Sequence, residues 1–173
     1  RIFGLTEPQV QELLHDLLCR EDDLTLAPYA KTGEVSLHLS ARAADEAACQ
    51  ARMAPVLEEV RKRLGPYLYG TDVAGLEEAV FRLCRERGLT LSAAESCTGG
   101  LIAKRITDVP GASGVFLGGV VSYTNGVKNH VLGVPSSLLD AYGAVSAPVA
   151  RAMAMGVRVL TGSDLSVAVT GLA

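Results

Sequence analysis

The stretch Ala94-Glu95-Ser96-Cys97-Thr98-Gly99-Gly100 decides the fold of this chain. It follows an apolar run at residues 89–93, typical of a buried strand, and precedes the helix-like segment Leu101–Thr107. A serine is thereby placed at a strand-to-helix turn. The first N–H groups of a helix lack partners within it and carry the positive end of its dipole, so the turn suits an oxyanion or a phosphate. The position therefore suits a nucleophile.

Composition indicates a globular protein of the cytoplasm. The chain has 173 residues, of which 49% are hydrophobic, and a net charge of −3. Because no half of the chain is strongly basic, nucleic acid is not expected as its main ligand. The four cysteines form no C-x-x-C pair, and no apolar stretch is long enough for a membrane span or arranged as a signal peptide. We therefore expect a reduced cytoplasmic protein that does not enter the membrane.

Residues 1–74 are predicted to form a small α+β domain. A helix is predicted to begin after Thr6, because Thr6 and Gln9 have the spacing of a capping box. Strict alternation at residues 35–40 predicts a half-buried strand after a turn-rich stretch. A long helix at about residues 44–64, with a kink at Pro55, and a short strand at residues 67–69 complete the prediction.

Residues 75–173 are predicted to form an α/β domain with a mostly parallel sheet flanked by helices. The predicted strands are residues 89–93, 115–123 and 165–170, and the predicted helices are Leu76–Arg87, Leu101–Thr107, 135–141 and 148–160. Open α/β sheets bind ligands at the carboxyl ends of their strands. A parallel arrangement would therefore bring Ser96, the region of Tyr123 and the pair Thr170-Gly171 to one rim.

A serine hydroxyl needs a neighbouring base before it attacks a carbonyl. The candidates are Lys128, His130 and Glu95. A lysine serves only if burial or a cationic neighbour lowers its pKa, and Lys128 follows a strand predicted to be buried.

Each candidate also has a purely structural interpretation. Ser96 could be a helix N-cap, Lys128 a solvated surface residue, and Tyr123 a half-buried packing residue. Cys97 is a rival nucleophile. The glycines at positions 99 and 100 are unfavourable at a helix start, and a backbone close to a ligand tolerates them. The residues alone thus indicate a ligand-binding α/β domain with a candidate Ser/Lys pair.

Several motifs resemble the competence/damage-inducible CinA family. They are Ala93-Ala94-Glu95-Ser96-Cys97-Thr98-Gly99-Gly100, Gly118-Gly119-Val120-Val121-Ser122-Tyr123-Thr124-Asn125-Gly126-Val127-Lys128, Gly143-Ala144-Val145-Ser146 and Thr170-Gly171-Leu172-Ala173. These resemble the family's C-terminal domain, a nicotinamide-nucleotide amidohydrolase, from Ala74 onward. The preceding half resembles the family's KH-like domain in Leu26-Ala27-Pro28-Tyr29-Ala30-Lys31, Thr32-Gly33-Glu34-Val35 and Tyr67-Leu68-Tyr69-Gly70. It has no G-x-x-G loop, so RNA binding does not follow.

The resemblance implies a role for each matching residue. Ser96 and Lys128 match a catalytic Ser/Lys dyad, and Tyr123 matches an auxiliary tyrosine. Substrate-binding positions are implied at Cys97, Thr98, Gly99, Gly100, Thr170 and Gly171. The resemblance also implies that the domain continues beyond this chain, into a loop and an arginine, and that full-length members carry a further N-terminal domain with nucleotide pyrophosphatase activity.

The reaction implied is the conversion of nicotinamide mononucleotide to nicotinate mononucleotide and ammonia, in bacterial pyridine nucleotide salvage. The resemblance implies a homo-oligomer, with a dimer expected, and neither a metal nor another cofactor is expected. The alternative is a module, linked to competence or DNA damage, that binds a nucleotide or a protein without catalysis.

Overall fold

The computed structural model describes residues 1–19, 23–31 and 33–172, so Thr32 and Ala173 of the family-like motifs lie outside the described residues. The chain divides into two compact units, Arg1–Leu76 and a second unit from Glu77 onward. Among the described residues, no helix combines the length and the apolar character that a membrane crossing needs.

The first unit is an α+β domain built on a three-stranded antiparallel sheet. The strands are β1 (Ile2–Phe3), β2 (Leu24–Lys31) and β3 (Glu34–Ala41), in the order β1-β3-β2. The helices are α1 (Glu7–Leu13), α2 (His15–Leu18) and α3 (Glu46–Leu64), followed by a short 3-10 turn, Gly65–Tyr67. One hydrophobic core, which includes Val10, Leu14, Val60 and Leu64, joins the helices to the sheet.

The second unit contains a three-stranded parallel sheet in the order β5-β4-β6. Its strands are β4 (Leu91–Glu95), β5 (Phe116–Val121) and β6 (Leu165–Val169). All five residues of the central strand β4 are buried. The chain leaves β4 for β5 on one side and later returns to β6 on the other. The carboxyl end of β4 is thus a topological switch point, the place where open α/β sheets bind ligands.

Helices cover both faces of this sheet, which explains its apolar strands. The helices are α4 (Leu76–Arg87), α5 (Leu101–Thr107), α6 (Asn125–Leu132), α7 (Ser136–Tyr142) and α8 (Ala147–Thr161), with a 3-10 turn at Ala112–Gly114. Helices α4 and α5 share a core with Leu91 and Val115. Helices α6, α7 and α8 enclose a second core against Ala94 on β4. The predicted fold class, a parallel α/β domain after a small α+β domain, is confirmed.

Besides the short strand β1, which was not predicted, local predictions differ from the structure in four main places. Strand β4 lies two residues later than predicted, and the turn-rich stretch contains β2. Pro28 obscured that strand, but β2 lies at the sheet edge, where a missing N–H is tolerated. In place of the predicted strand at residues 67–69 there is the 3-10 turn and a single bridge between Ile2 and Leu68. The fourth difference, helix α6, carries Lys128.

Candidate active site

Ser96 is the first residue after the central strand of the parallel sheet. Its N–H donates to the Val169 carbonyl at 3.0 Å, and the Glu95 carbonyl accepts from the Ser122 N–H at 2.7 Å. These bonds extend the sheet by one step on each side of β4. The serine backbone is therefore fixed by both neighbouring strands, and its side chain is 6% exposed.

The turn after Ser96 requires its two glycines for backbone reasons. Gly99 has φ +60° and Gly100 has φ +105°, and L side chains rarely adopt such values. A Cβ atom at Gly99 would meet nothing within 4 Å. The sequence interpretation attributed the glycines to a ligand close to the backbone, whereas the conformation of the turn is sufficient to explain them.

Glu95 closes the N-terminal end of helix α5. Its buried carboxylate accepts hydrogen bonds from the N–H groups of Gly100 at 3.1 Å, Ile102 at 3.0 Å and Ala103 at 2.8 Å. Burial alone would raise the pKa of Glu95, but these hydrogen bonds and the neighbouring Thr98 hydroxyl together outweigh it and lower the pKa below its usual value. A carboxylate held ionised by three donors is a helix cap and a poor general base.

This cap changes where an anion can bind. Among the described residues, the N–H groups of Cys97 and Thr98 have no acceptor, whereas the Gly99 N–H donates to the Ser96 carbonyl at 3.1 Å. Glu95 occupies the N–H groups of Gly100, Ile102 and Ala103, and the Leu101 N–H donates to the Thr98 carbonyl at 3.1 Å. An incoming oxyanion could therefore use only the N–H groups of Cys97 and Thr98.

Lys128 reaches Ser96 from helix α6 and is 1% exposed. Its Nζ atom lies 3.1 Å from Ser96 Oγ, within the hydrogen-bonding distance that the sequence hypothesis required. The same atom donates to the carbonyl oxygens of Ser122 at 2.7 Å and Tyr123 at 3.4 Å. Burial lowers the pKa of Lys128 below the ordinary lysine value, and a smaller opposing effect comes from Cys97.

Helix α6, which sequence analysis missed, places the lysine. Thr124 is its N-cap and accepts from the Val127 N–H at 3.4 Å, while Gly133 ends it with φ +66°. The sequence carries two signals of this helix: a threonine three residues before that N–H, and a glycine after Leu132. The dipeptide Asn125-Gly126 is typical of a turn, and it masked them.

The alternative bases and the rival nucleophile lie in different surroundings. His130 is exposed, and its Nδ1 atom pairs with the Gly126 carbonyl of its own helix at 2.8 Å. Cys97 is half-buried, and a Cβ atom at Gly171 would lie 3.0 Å from its Sγ atom. The sulfur therefore packs against the chain that follows β6.

The remaining predicted residues line the same edge of the sheet. Tyr123 contributes its carbonyl oxygen to Lys128, whereas its side chain is 66% exposed. Thr170 follows β6, and its hydroxyl donates to the Ala144 carbonyl at 2.8 Å, which ties the strand end to the loop before α8. The hydroxyl oxygen of Thr98 is buried. The described residues include no group of three His, Cys, Asp or Glu side chains that could hold a metal ion.

Fold and site together define a class: a doubly wound α/β domain with a buried serine and lysine at the switch point of its sheet. Two family models match the chain. The CinA C-terminal domain covers residues 73–173, and the damage-inducible protein CinA KH domain covers residues 1–70. The chain belongs to the CinA family.

Individual relatives agree with this assignment. The chain is 55% identical over 173 residues to a relative from Symbiobacterium thermophilum that is named among the competence-damage inducible proteins. It is 43% identical over 173 residues to a CinA-like protein from Kosmotoga olearia. Both matches cover 100% of this chain but only 41% and 42% of those relatives, so the chain spans less than half of their length.

Solved structures show the same fold. The competence/damage inducible protein CihA from Agrobacterium tumefaciens matches with a TM-score of 0.56 and 41% identity, over 61% of this chain and 64% of that one. The competence damage-inducible protein A from Klebsiella pneumoniae matches with a TM-score of 0.53 and 35% identity, over 53% of this chain and 57% of that one.

Proposed function

We propose that the second unit is a nicotinamide-nucleotide amidohydrolase that converts nicotinamide mononucleotide to nicotinate mononucleotide and ammonia. The observation that carries this proposal is the 3.1 Å separation of Lys128 Nζ and Ser96 Oγ in a buried site at the switch point. The resemblance of the surrounding motifs to the family's amidohydrolase domain supports the choice of substrate.

The surroundings of the amine suit it to the role of general base. A neutral amine has two hydrogens and one lone pair. The carbonyls of Ser122 and Tyr123 accept the two hydrogens, so the lone pair is directed at the Ser96 hydroxyl. Burial favours the neutral form because it lowers the pKa of Lys128.

Acylation then follows from this geometry. Lys128 takes the hydroxyl proton as Ser96 Oγ bonds to the carboxamide carbon. The N–H groups of Cys97 and Thr98 stabilise the oxyanion, because Glu95 and backbone carbonyls already accept from the other donors of the helix start. The carbon–nitrogen bond breaks, and the proton held by Lys128 leaves with ammonia.

Hydrolysis of the acyl-enzyme completes the cycle. Water gives its proton to Lys128 and attacks the ester carbon, and Ser96 recovers its hydrogen as nicotinate mononucleotide departs. The step uses neither a metal nor another cofactor. Because the donors at the start of α5 are occupied, the substrate phosphate binds elsewhere, and Thr170 and Gly171 are proposed substrate contacts at the rim of the sheet. We further propose cytoplasmic pyridine nucleotide salvage by a self-associated protein as its setting.

A direct assay tests the proposal. The purified chain is incubated with nicotinamide mononucleotide, and ammonia and nicotinate mononucleotide are both quantified. Acid quenching followed by mass spectrometry should find the acyl group of nicotinate mononucleotide, with its ribose phosphate, on the peptide that contains Ser96. Binding of the nucleotide with neither product would favour the non-catalytic module and contradict the amidohydrolase.

A further inference from the structure

We infer that Gly156 in helix α8 is a positioning residue that sets the distance between Lys128 and Ser96. A Cβ atom built at Gly156 would lie 1.9 Å from the Leu132 carbonyl oxygen and 2.8 Å from its carbon. Real Cβ atoms essentially never approach another heavy atom within 3.0 Å. The backbones of α6 and α8 are thus in contact at a separation that only glycine permits.

Leu132 is the last residue of α6, and Lys128 lies one helical turn before it. Hydrogen bonds tie the end of this helix to the turn that carries Lys128. The Val134 N–H donates to the Lys128 carbonyl at 3.1 Å, and Asn129 Nδ2 donates to the Val134 carbonyl at 2.8 Å. A displacement of Leu132 therefore moves the lysine backbone with it.

The opposite side of the contact cannot easily move instead. Helix α8 buries Val149, Met153 and Val157 completely, in the core that includes Ala94 on β4, the strand that leads to Ser96. Interiors of this density transmit a volume change and do not absorb it. An added methyl group must therefore shift the short helix α6 by about 1 Å or more, given the 3.0 Å limit.

Ser96 does not share this shift, because its backbone is bonded to β6 and its neighbour Glu95 is bonded to β5 and α5. The consequence falls on one distance, that between Lys128 Nζ and Ser96 Oγ. A misplacement of about 1 Å in a reacting group can lower a rate by about 100-fold. The inference rests on the proposed function for its biological meaning. The geometric argument itself requires only that Lys128 activates Ser96.

The test compares Gly156→Ala with Gly114→Ala. At Gly114 a Cβ atom would meet nothing within 4 Å and φ is not positive, so the same substitution has room. Ser96 is labelled with a fluorophosphonate, in which Oγ bonds to phosphorus as fluoride leaves and the proton passes to Lys128. The labelling rate is measured against pH, beside ammonia release and thermal unfolding.

We expect Gly156→Ala to label about 100-fold more slowly while still folded, and Gly114→Ala to match the wild type. The pKa seen in the pH profile should rise in Gly156→Ala, because a displaced amine becomes more hydrated. A wild-type rate in folded Gly156→Ala, or a slower rate with an unchanged pH profile, overturns the inference.

Asn129→Ala decides the matter if Gly156→Ala does not fold. It removes the bond from Asn129 to Val134 and adds no bulk, so it should slow labelling by a smaller factor with the same direction of pKa change. If neither the labelling rate nor the pKa changes in Asn129→Ala, the inference is overturned. A wild-type chain that is labelled normally but releases no ammonia would refute the proposed function and leave the role of Gly156 intact.

Discussion

Lys128 Nζ lies 3.1 Å from Ser96 Oγ, although the two residues are 32 positions apart in the sequence. One comes from the turn after β4 and the other from the helix after β5. The parallel pairing of these two strands places their carboxyl ends side by side. Because both side chains are buried there, the amine has few partners besides the hydroxyl and two carbonyl oxygens.

Replacing Ser96 tests the nucleophile. We expect Ser96→Ala to lower kcat for ammonia release by about 1,000-fold or more, because members of an activated-nucleophile unit act together. Stability should change by only about 1 kcal/mol, since a single hydrogen bond is lost. Ser113→Ala, at an exposed position outside the site, serves as the control and should remain fully active. Normal turnover by folded Ser96→Ala would exclude the acyl-enzyme.

Replacing Lys128 separates a base from a fixed charge. Lys128→Arg keeps the charge but cannot lose its proton near neutral pH, and Lys128→Met keeps the length without a base. Both should be inactive. Wild-type activity should rise with pH through the pKa of Lys128, which burial holds below the usual value of about 10.4. Substantial activity in Lys128→Arg, measured by ammonia release, would assign the lysine an electrostatic role.

The buried amine should also destabilise the folded chain at neutral pH. Because its pKa is lower in the folded state, the unfolded chain binds the proton more tightly, and stability rises with pH between the lowered pKa and about 10.4. Lys128→Met should therefore be more stable at pH 7 by about 1 kcal/mol, or about 2–4 °C in Tm, with a smaller gain at higher pH.

The matched control for this stability prediction is Lys104→Met, at a position where the side chain is 68% exposed. Its Tm should stay close to that of the wild type at every pH. Thermal unfolding followed by circular dichroism from pH 6 to 10 measures both variants. A Lys128→Met chain that is less stable than the wild type at pH 7 would show that the amine is well compensated when charged.

Glu95 should be replaceable by a small anion. Glu95→Ala removes the acceptor of three N–H groups and should cost about 2–3 kcal/mol, because buried donors lose a charged partner. Ser96 then loses its support, and activity should fall. Formate can enter the vacated space and accept the same bonds, so it should restore both activity and Tm in Glu95→Ala. Chloride at equal ionic strength is the control, and equal rescue by chloride would contradict the cap.

Tyr123→Phe tests a residue whose side chain is not engaged with the lysine. Tyr123 is 66% exposed, and its link to Lys128 runs through the backbone carbonyl. We expect an unchanged Tm and an unchanged pH profile, with a fall in kcat of about tenfold or less from one lost hydrogen bond to the substrate. A loss as large as that of Ser96→Ala would show that the hydroxyl takes part in proton transfer.

Local sequence patterns predicted the strand-turn-helix around Ser96 because the signals lie within a few residues of one another. The bounds of α5 agree with the prediction, and the three parallel strands were each found. Helix α6 was not found, since its turn-like start outweighed its cap signals. Without this helix, the sequence did not show that Lys128 faces Ser96, so Lys128 was one of three candidate bases.

The sequence by itself determined that a serine lies at a strand-to-helix turn, and that a lysine lies beyond the next strand end. Only the tertiary structure decided that the two side chains meet, because this depends on a parallel register and on the close contact of α6 with α8 at Gly156. It also decided that Glu95 is a helix cap, since its three donors come from residues five to eight positions later. Periodicity and spacing specify which face a residue occupies, whereas the pKa and reactivity of a group depend on everything packed around it.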